Sequence, residues 1–122
     1  MDDSVERLRL KIDPEPTRLR ELRTRIAKWL GGAGIAGDVR DAVVLAAHEV
    51  AASLIHRADR GVEVEGTIEG RVIRLVIHGR SSLDDPDGDE VGQRFSFVKA
   101  LMSDVGLESR ADGTSVRLEK WL

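Results

Sequence analysis

The sequence predicts an α+β fold, a two-layer sandwich with helices on one face of a mixed, mainly antiparallel sheet. Three observations predict it. Apolar residues recur with period two near both ends and in the middle of the chain, and with steps of three and four between those segments. Turn-forming residues separate successive alternating runs, so neighbouring strands pair locally. The 122 residues are 41% hydrophobic and 34% charged with only 3 Pro, which supplies a core without the bias of a disordered or fibrous chain. One domain over residues 1–122 is expected, because single cores form at roughly 100–200 residues.

The elements follow in order. Val5, Leu8, Leu10 and Ile12 alternate with charged residues as in a half-buried strand, which Pro14 and Pro16 end. Leu19, Leu22, Ile26, Trp29 and Leu30 form one apolar stripe on a basic helix that stops at Gly31-Gly32. Asp38 offers an N-cap, and Val39, Ala42, Val43, Ala46, Val50, Leu54 and Ala58 keep helical spacing, so a long buried helix is expected from Asp38 to Arg57. Val62, Val64, Gly66 and Ile68 then alternate, Glu69-Gly70-Arg71 turns the chain, and Val72 to Ile77 is a β-branched run. Gly79 to Val91, with four Asp, two Ser, Pro86 and Gly88, reads as a polar loop ending near Gly92. Phe95, Val98, Leu101 and Met102 predict a further helix. Val105 to Arg110 and Thr114 to Leu118 predict a closing hairpin around Ala111-Asp112-Gly113.

Composition excludes several functions. The 19 Lys+Arg against 22 Asp+Glu give a formal charge of −3, without the basic excess that phosphate-backbone binding needs, so no nucleic-acid partner is expected. Cys is absent, which removes disulfides, thiolate metal sites and cysteine nucleophiles. The start of the chain lacks a continuous apolar leader, and no run approaches the ~20 residues of a membrane span, so a cytoplasmic protein without membrane association is expected. Aromatic residues are 3% of the chain, too few for base-stacking platforms.

Chemistry-bearing residues concentrate on the second helix. Glu49, Ser53 and His56 fall on one helical face beside His48. Such a stripe suits either a solvated helix margin or a site. A zinc site fails because Ala52 stands where the second histidine of H-E-x-x-H belongs. Calcium fails because Leu83 and Arg94 would occupy the first and twelfth positions of a loop centred on Gly88. No metal is expected. Neither G-x-S-x-G, G-x-x-x-x-G-K-[ST] nor G-x-G-x-x-G occurs. The run from His48 to Leu54 partly resembles the phosphoacceptor box of sensor histidine kinases, although Ser53 replaces the usual proline.

The order of the whole chain resembles the GHKL superfamily, the Bergerat-fold or histidine-kinase-like ATPases, and within it the anti-sigma serine/threonine kinases of bacterial partner-switching pathways. The resemblance runs through Leu8 to Ile12, the helix from Arg40 to Ala58, the strand from Val72 to Arg80, Gly92 to Leu101, and Asp112-Gly113-Thr114-Ser115-Val116. It implies that Glu49 is the general base of an active member and that Ser53 stands where an asparagine holds Mg²⁺. It also matches His56 to a histidine frequent in this branch.

Against the family pattern, the first glycine box reads Gly79-Arg80-Ser81-Ser82-Leu83 in place of Asp-x-Gly-x-Gly, which removes the acceptor for the adenine amino group. The second reads Gly92-Gln93-Arg94-Phe95, with Arg94 in place of a glycine. Gly113 and Thr114 complete the nucleotide end of the resemblance. Arg94 or Arg80 is expected to reach Glu49 and substitute for the ion. The reading is a degenerate regulatory member, a pseudokinase that needs no cofactor and contacts a sigma factor or an anti-sigma antagonist. Arg20 and Arg23 would lie on the partner surface, and a homodimer is compatible with the pattern. The alternatives are an active Mg-ATP-dependent serine kinase and a histidine phosphotransfer protein using His48 or His56.

Overall fold

The computed structural model describes residues 6–13, 15–55, 61–79, 89–110 and 113–122, and of 89–94 and 110 the backbone alone. Strand β1 spans Glu6–Ile12, and a 3-10 turn at Pro16–Arg18 leads into α1, Leu19–Gly32. Helix α2 is Gly37–Ile55, and the hairpin strands β2 and β3 are Val62–Glu69 and Val72–Gly79. Helix α3 is Asp89–Leu101, followed by β4, Asp104–Arg110, and β5, Gly113–Trp121. The five strands lie in the order β1-β2-β3-β5-β4. Every pairing is antiparallel, so the parallel component allowed for in a mixed sheet is not found among the described strands.

Period-two alternation decides which face the helices cover. In β2, Val62, Val64, Gly66 and Ile68 are buried while Glu63, Glu65 and Glu69 are exposed. Ile73, Leu75 and Ile77 of β3 and Val116 and Leu118 of β5 extend the buried face. Leu19, Leu22, Ile26 and Leu30 of α1 and Val98 of α3 close over it. Helix α2 is the most deeply set, with every residue from Val50 to Ile55 buried. Near the end of α1, the Trp29 ring lies on Gly66, where a methyl group would stand 2.8 Å from Cη2 of the indole.

Several boundaries move from their expected places. Helix α2 opens at Gly37, whose φ of 64° lies in the left-handed region. Asp38 therefore sits inside the first turn, near the positive end of the helix dipole, and is not the N-cap. The expected end of this helix at Arg57 lies outside the described residues. Strand β3 runs through Gly79, since His78 and Gly79 still pair with Glu63 and Val62 on one side and Ser115 and Thr114 on the other. His78 Nδ1 and the Ser115 hydroxyl are 2.7 Å apart. Helix α3 begins at Asp89, so residues 89–91 are not loop; two acidic residues suit the first turn of a helix. Strand β5 continues to Trp121, and the Leu122 N–H donates to the Arg71 carbonyl at 2.8 Å. Among the described residues no helix is long and apolar enough to cross a membrane.

Candidate functional site

The C-terminal half of α2 lies over the end of the sheet where β3 stops and β5 starts. Register places Val62, Gly79, Thr114 and Ser109 in one row across β2, β3, β5 and β4. Alternation turns this row toward the helices: Val62, Gly79 and Thr114 are buried. Gly113 begins β5 at φ 140°, a conformation that residues with a Cβ rarely adopt. Thr114 is 0% exposed, and its Oγ1 lies 3.4 Å from the Ser109 hydroxyl.

Above Gly79 sits Leu54. A methyl group on Gly79 would stand 3.1 Å from Leu54 Cβ and 3.6 Å from both of its terminal methyls. The position that the resemblance aligns with the adenine acceptor thus has no side chain and faces a hydrocarbon. A carboxylate there would meet the leucine as its first neighbour, with the desolvation that entails.

Ser53, 6% exposed, donates its hydroxyl to the Glu49 carbonyl one turn back, at 3.0 Å. This local bond is the common way for a serine inside a helix to satisfy its hydroxyl. It draws Oγ toward the helix backbone. Glu49 itself is half-buried, and its carboxylate has no ion pair or hydrogen bond among the described residues. A half-buried carboxylate of this kind is able to act as a proton acceptor.

The structure therefore brings Glu49, Ser53, Gly79, Gly113 and Thr114 to one end of the molecule. His56, Arg80, Ser81 and Leu83 lie outside the described residues, as do the surroundings of Gly92 and of the Arg94 side chain, so the expected arginine plug falls there too. Gly79 offers no side-chain acceptor, and the Ser53 hydroxyl gives its proton to its own helix. Leu54 is the site residue that sequence reasoning missed. Its spacing marked it as core, and no local signal tells which strand position a core leucine covers. Arg20 and Arg23 are exposed on α1.

A family model for the histidine kinase-like ATPase domain matches residues 12–120. A similar solved structure is that of the RsbU and RsbW domains of Rv1364c from Mycobacterium tuberculosis, with a TM-score of 0.81 and 19% sequence identity. The match covers 95% of this chain and 32% of that one, so this chain spans about a third of the solved protein's length. No curated protein matches the chain by sequence.

Proposed function

Because the chain belongs to the histidine kinase-like ATPase domain family, we propose that it is a regulatory member of the anti-sigma, partner-switching type that works by protein contact without binding nucleotide. The observation that carries this reading is the bare backbone at Gly79 under Leu54, where the family resemblance calls for the adenine acceptor. Fold alone hosts many functions, so the argument rests on the site. The likeness to a structure containing an RsbW domain supports the fold on which such a regulator would be built.

Calorimetric titration with Mg-ATP and with Mg-ADP tests the reading. No binding heat is expected, and no rise in melting temperature at ligand concentrations that saturate a working family member. A nucleotide-dependent rise of several degrees overturns it. Restoring the carboxylate with Gly79→Asp leaves the protein without binding, because Leu54 still crowds position 79, and Ser53 and Arg94 still stand where the resemblance has an asparagine and a glycine.

The partner surface in this reading is α1. Arg20, Arg23, Arg25 and Lys28 are exposed there and make no ion pair among the described residues. An acidic partner, a sigma factor or an anti-sigma antagonist, is the matching chemistry. Charge reversal at Arg20 and Arg23 lowers affinity and flattens its salt dependence without shifting the melting temperature; unchanged affinity in a titration removes this surface.

One observation favours a second reading, an active Mg-ATP-dependent serine kinase. The Glu49 carboxylate is half-buried and makes no ion pair or hydrogen bond among the described residues, as a general base requires. Nucleotide binding in the titration, followed by loss of phosphoryl transfer in Glu49→Gln, would establish it.

A further inference from the structure

On β5, Ser115, Arg117 and Glu119 alternate with the buried Thr114, Val116 and Leu118, so they stand on the face of the sheet opposite the helices. Register sets Arg117 between Val76 of β3 and Gly106 of β4, and Ser115 between His78 and Glu108. Val76, Gly106, Leu107, Glu108, Ser115 and Arg117 line a cleft of about 440 Å³. That volume lies in the range of small-ligand sites.

Two carboxylates fix the Arg117 guanidinium by its edges. Nε lies 3.2 Å from Glu119 Oε1, and Nη2 donates to Asp104 Oδ2 at 3.4 Å. Gly106 backs it: a methyl group on Gly106 would stand 2.9 Å from Nη2, 3.1 Å from Cζ and 3.6 Å from Nε, so the guanidinium lies broadside over the bare backbone and not end-on. The side chain is 49% exposed. A guanidinium held by its edges and backed by glycine presents its second face, the surface on which aromatic rings stack. Val76, half-buried, and Leu107, 41% exposed, add apolar flanks.

Ser115 gives the cleft a polar end. Its Oγ lies 2.7 Å from His78 Nδ1. In the tautomer that carries its proton on Nε2, the hydroxyl donates to the ring and its oxygen is an acceptor for a ligand O–H. Glu108, Asp104 and Glu119 set three carboxylates against the guanidiniums of Arg117 and Arg74, the latter 3.3 Å from Glu119, so an anionic ligand is disfavoured. A flat, neutral ring with one hydroxyl suits the stacking face, the flanks and the acceptor together.

We propose that this cleft binds a neutral phenol, its ring stacked on Arg117 between Val76 and Leu107 and its hydroxyl donating to Ser115 Oγ. The chain has no Tyr of its own, so the phenol comes from another molecule, either free or as the tyrosine side chain of a bound peptide. The cleft is on the sheet face opposite the buried Gly79 and Thr114, and its binding of a phenol does not depend on whether nucleotide binds.

The test follows the full chain by two-dimensional NMR during titration with p-cresol, with its methyl ether, which lacks the donor, and with N-acetyltyrosine amide. Stacking moves the Arg117 Nε–H upfield through the ring current and shifts the amides of residues 106–108 and 115–117. The phenol binds about fivefold more tightly than the ether, the worth of one hydrogen bond, and Ser115→Ala levels the two. Arg117→Lys keeps a cation between the carboxylates without a flat face, and p-cresol then binds about fivefold more weakly. Melting temperatures show that both variants are folded. Binding of p-cresol alone assigns the cleft to free phenols, and binding of the tyrosine derivative as well assigns it to a peptide tyrosine. No movement of the Arg117 Nε–H at millimolar p-cresol, equal affinity for phenol and ether, or an Arg117→Lys variant that binds as the wild type does would each overturn the proposal.

Discussion

Two glycines on the covered face of the sheet, Gly66 and Gly79, each have a helix side chain directly above, and the two contacts differ in kind. Over Gly66 a methyl group would stand 2.7 Å from Leu75 Cδ2 and 2.8 Å from Trp29 Cη2, distances that real carbon pairs do not sustain. Over Gly79 the nearest atom is Leu54 Cβ at 3.1 Å, and the next are at 3.6 Å. The first glycine is required by packing, since the indole occupies the space a side chain would take. The second is less tightly required, since its nearest neighbour needs to give by only a few tenths of an ångström. Its absence of a side chain bears on what the site can recognise far more than on how the core closes.

This contrast is broken or sharpened by substitution. The largest effect belongs to the leucine itself: Leu54→Ala empties a fully buried position and lowers stability by about 2–5 kcal/mol, measured by urea denaturation. Combined with Gly79→Ala, the loss should stay close to the sum of the two single changes, because alanine keeps the Cβ that stands 3.1 Å away and removes only the methyls at 3.6 Å. A double variant much more stable than the sum would show that the leucine's terminal methyls, and not its Cβ, constrain position 79.

Gly66→Ala comes next. It forces the indole or Leu75 to shift within a packed core and costs about 1–3 kcal/mol. Fluorescence reads the same event, since Trp29 and Trp121 are the chain's two tryptophans and only the first lies on this glycine. A blue-shifted, unchanged spectrum with wild-type stability would break the comparison.

Gly79→Ala alone has the smallest effect. The neighbouring leucine must yield by a few tenths of an ångström, and the restricted unfolded chain returns about 0.4–1 kcal/mol, so the net change should fall within about 1 kcal/mol of zero. A loss as large as that of Gly66→Ala would mean that both glycines are held by packing.

The same pair shows how much was legible beforehand. Alternation through Val62, Val64, Gly66 and Ile68 put Gly66 on the buried face, and the stripe from Leu19 to Leu30 put Trp29 on the inner side of α1. Their meeting was not legible, because it joins residues from two elements through the packing of α1 on the sheet. At the candidate site, Glu49 and Ser53 were found together from their spacing on one helix, and Gly79 and Thr114 from family resemblance. The hydrogen bond from Ser53 to the Glu49 carbonyl followed a familiar local pattern. Leu54 over Gly79 did not, since the register of a helix along a strand is set by the whole interface.

By itself the sequence determined the kind and order of the elements and the face each one buries, because side-chain period is a property of a short stretch of backbone. It also determined the missing carboxylate at position 79. Only the tertiary structure decided that β5 lies between β3 and β4, that β1 is an edge among the described strands, and that a leucine covers Gly79. These depend on residues far apart in the chain, and the hydrophobic drive that brings them together is non-directional, so the partner of each contact is fixed only when the whole core closes.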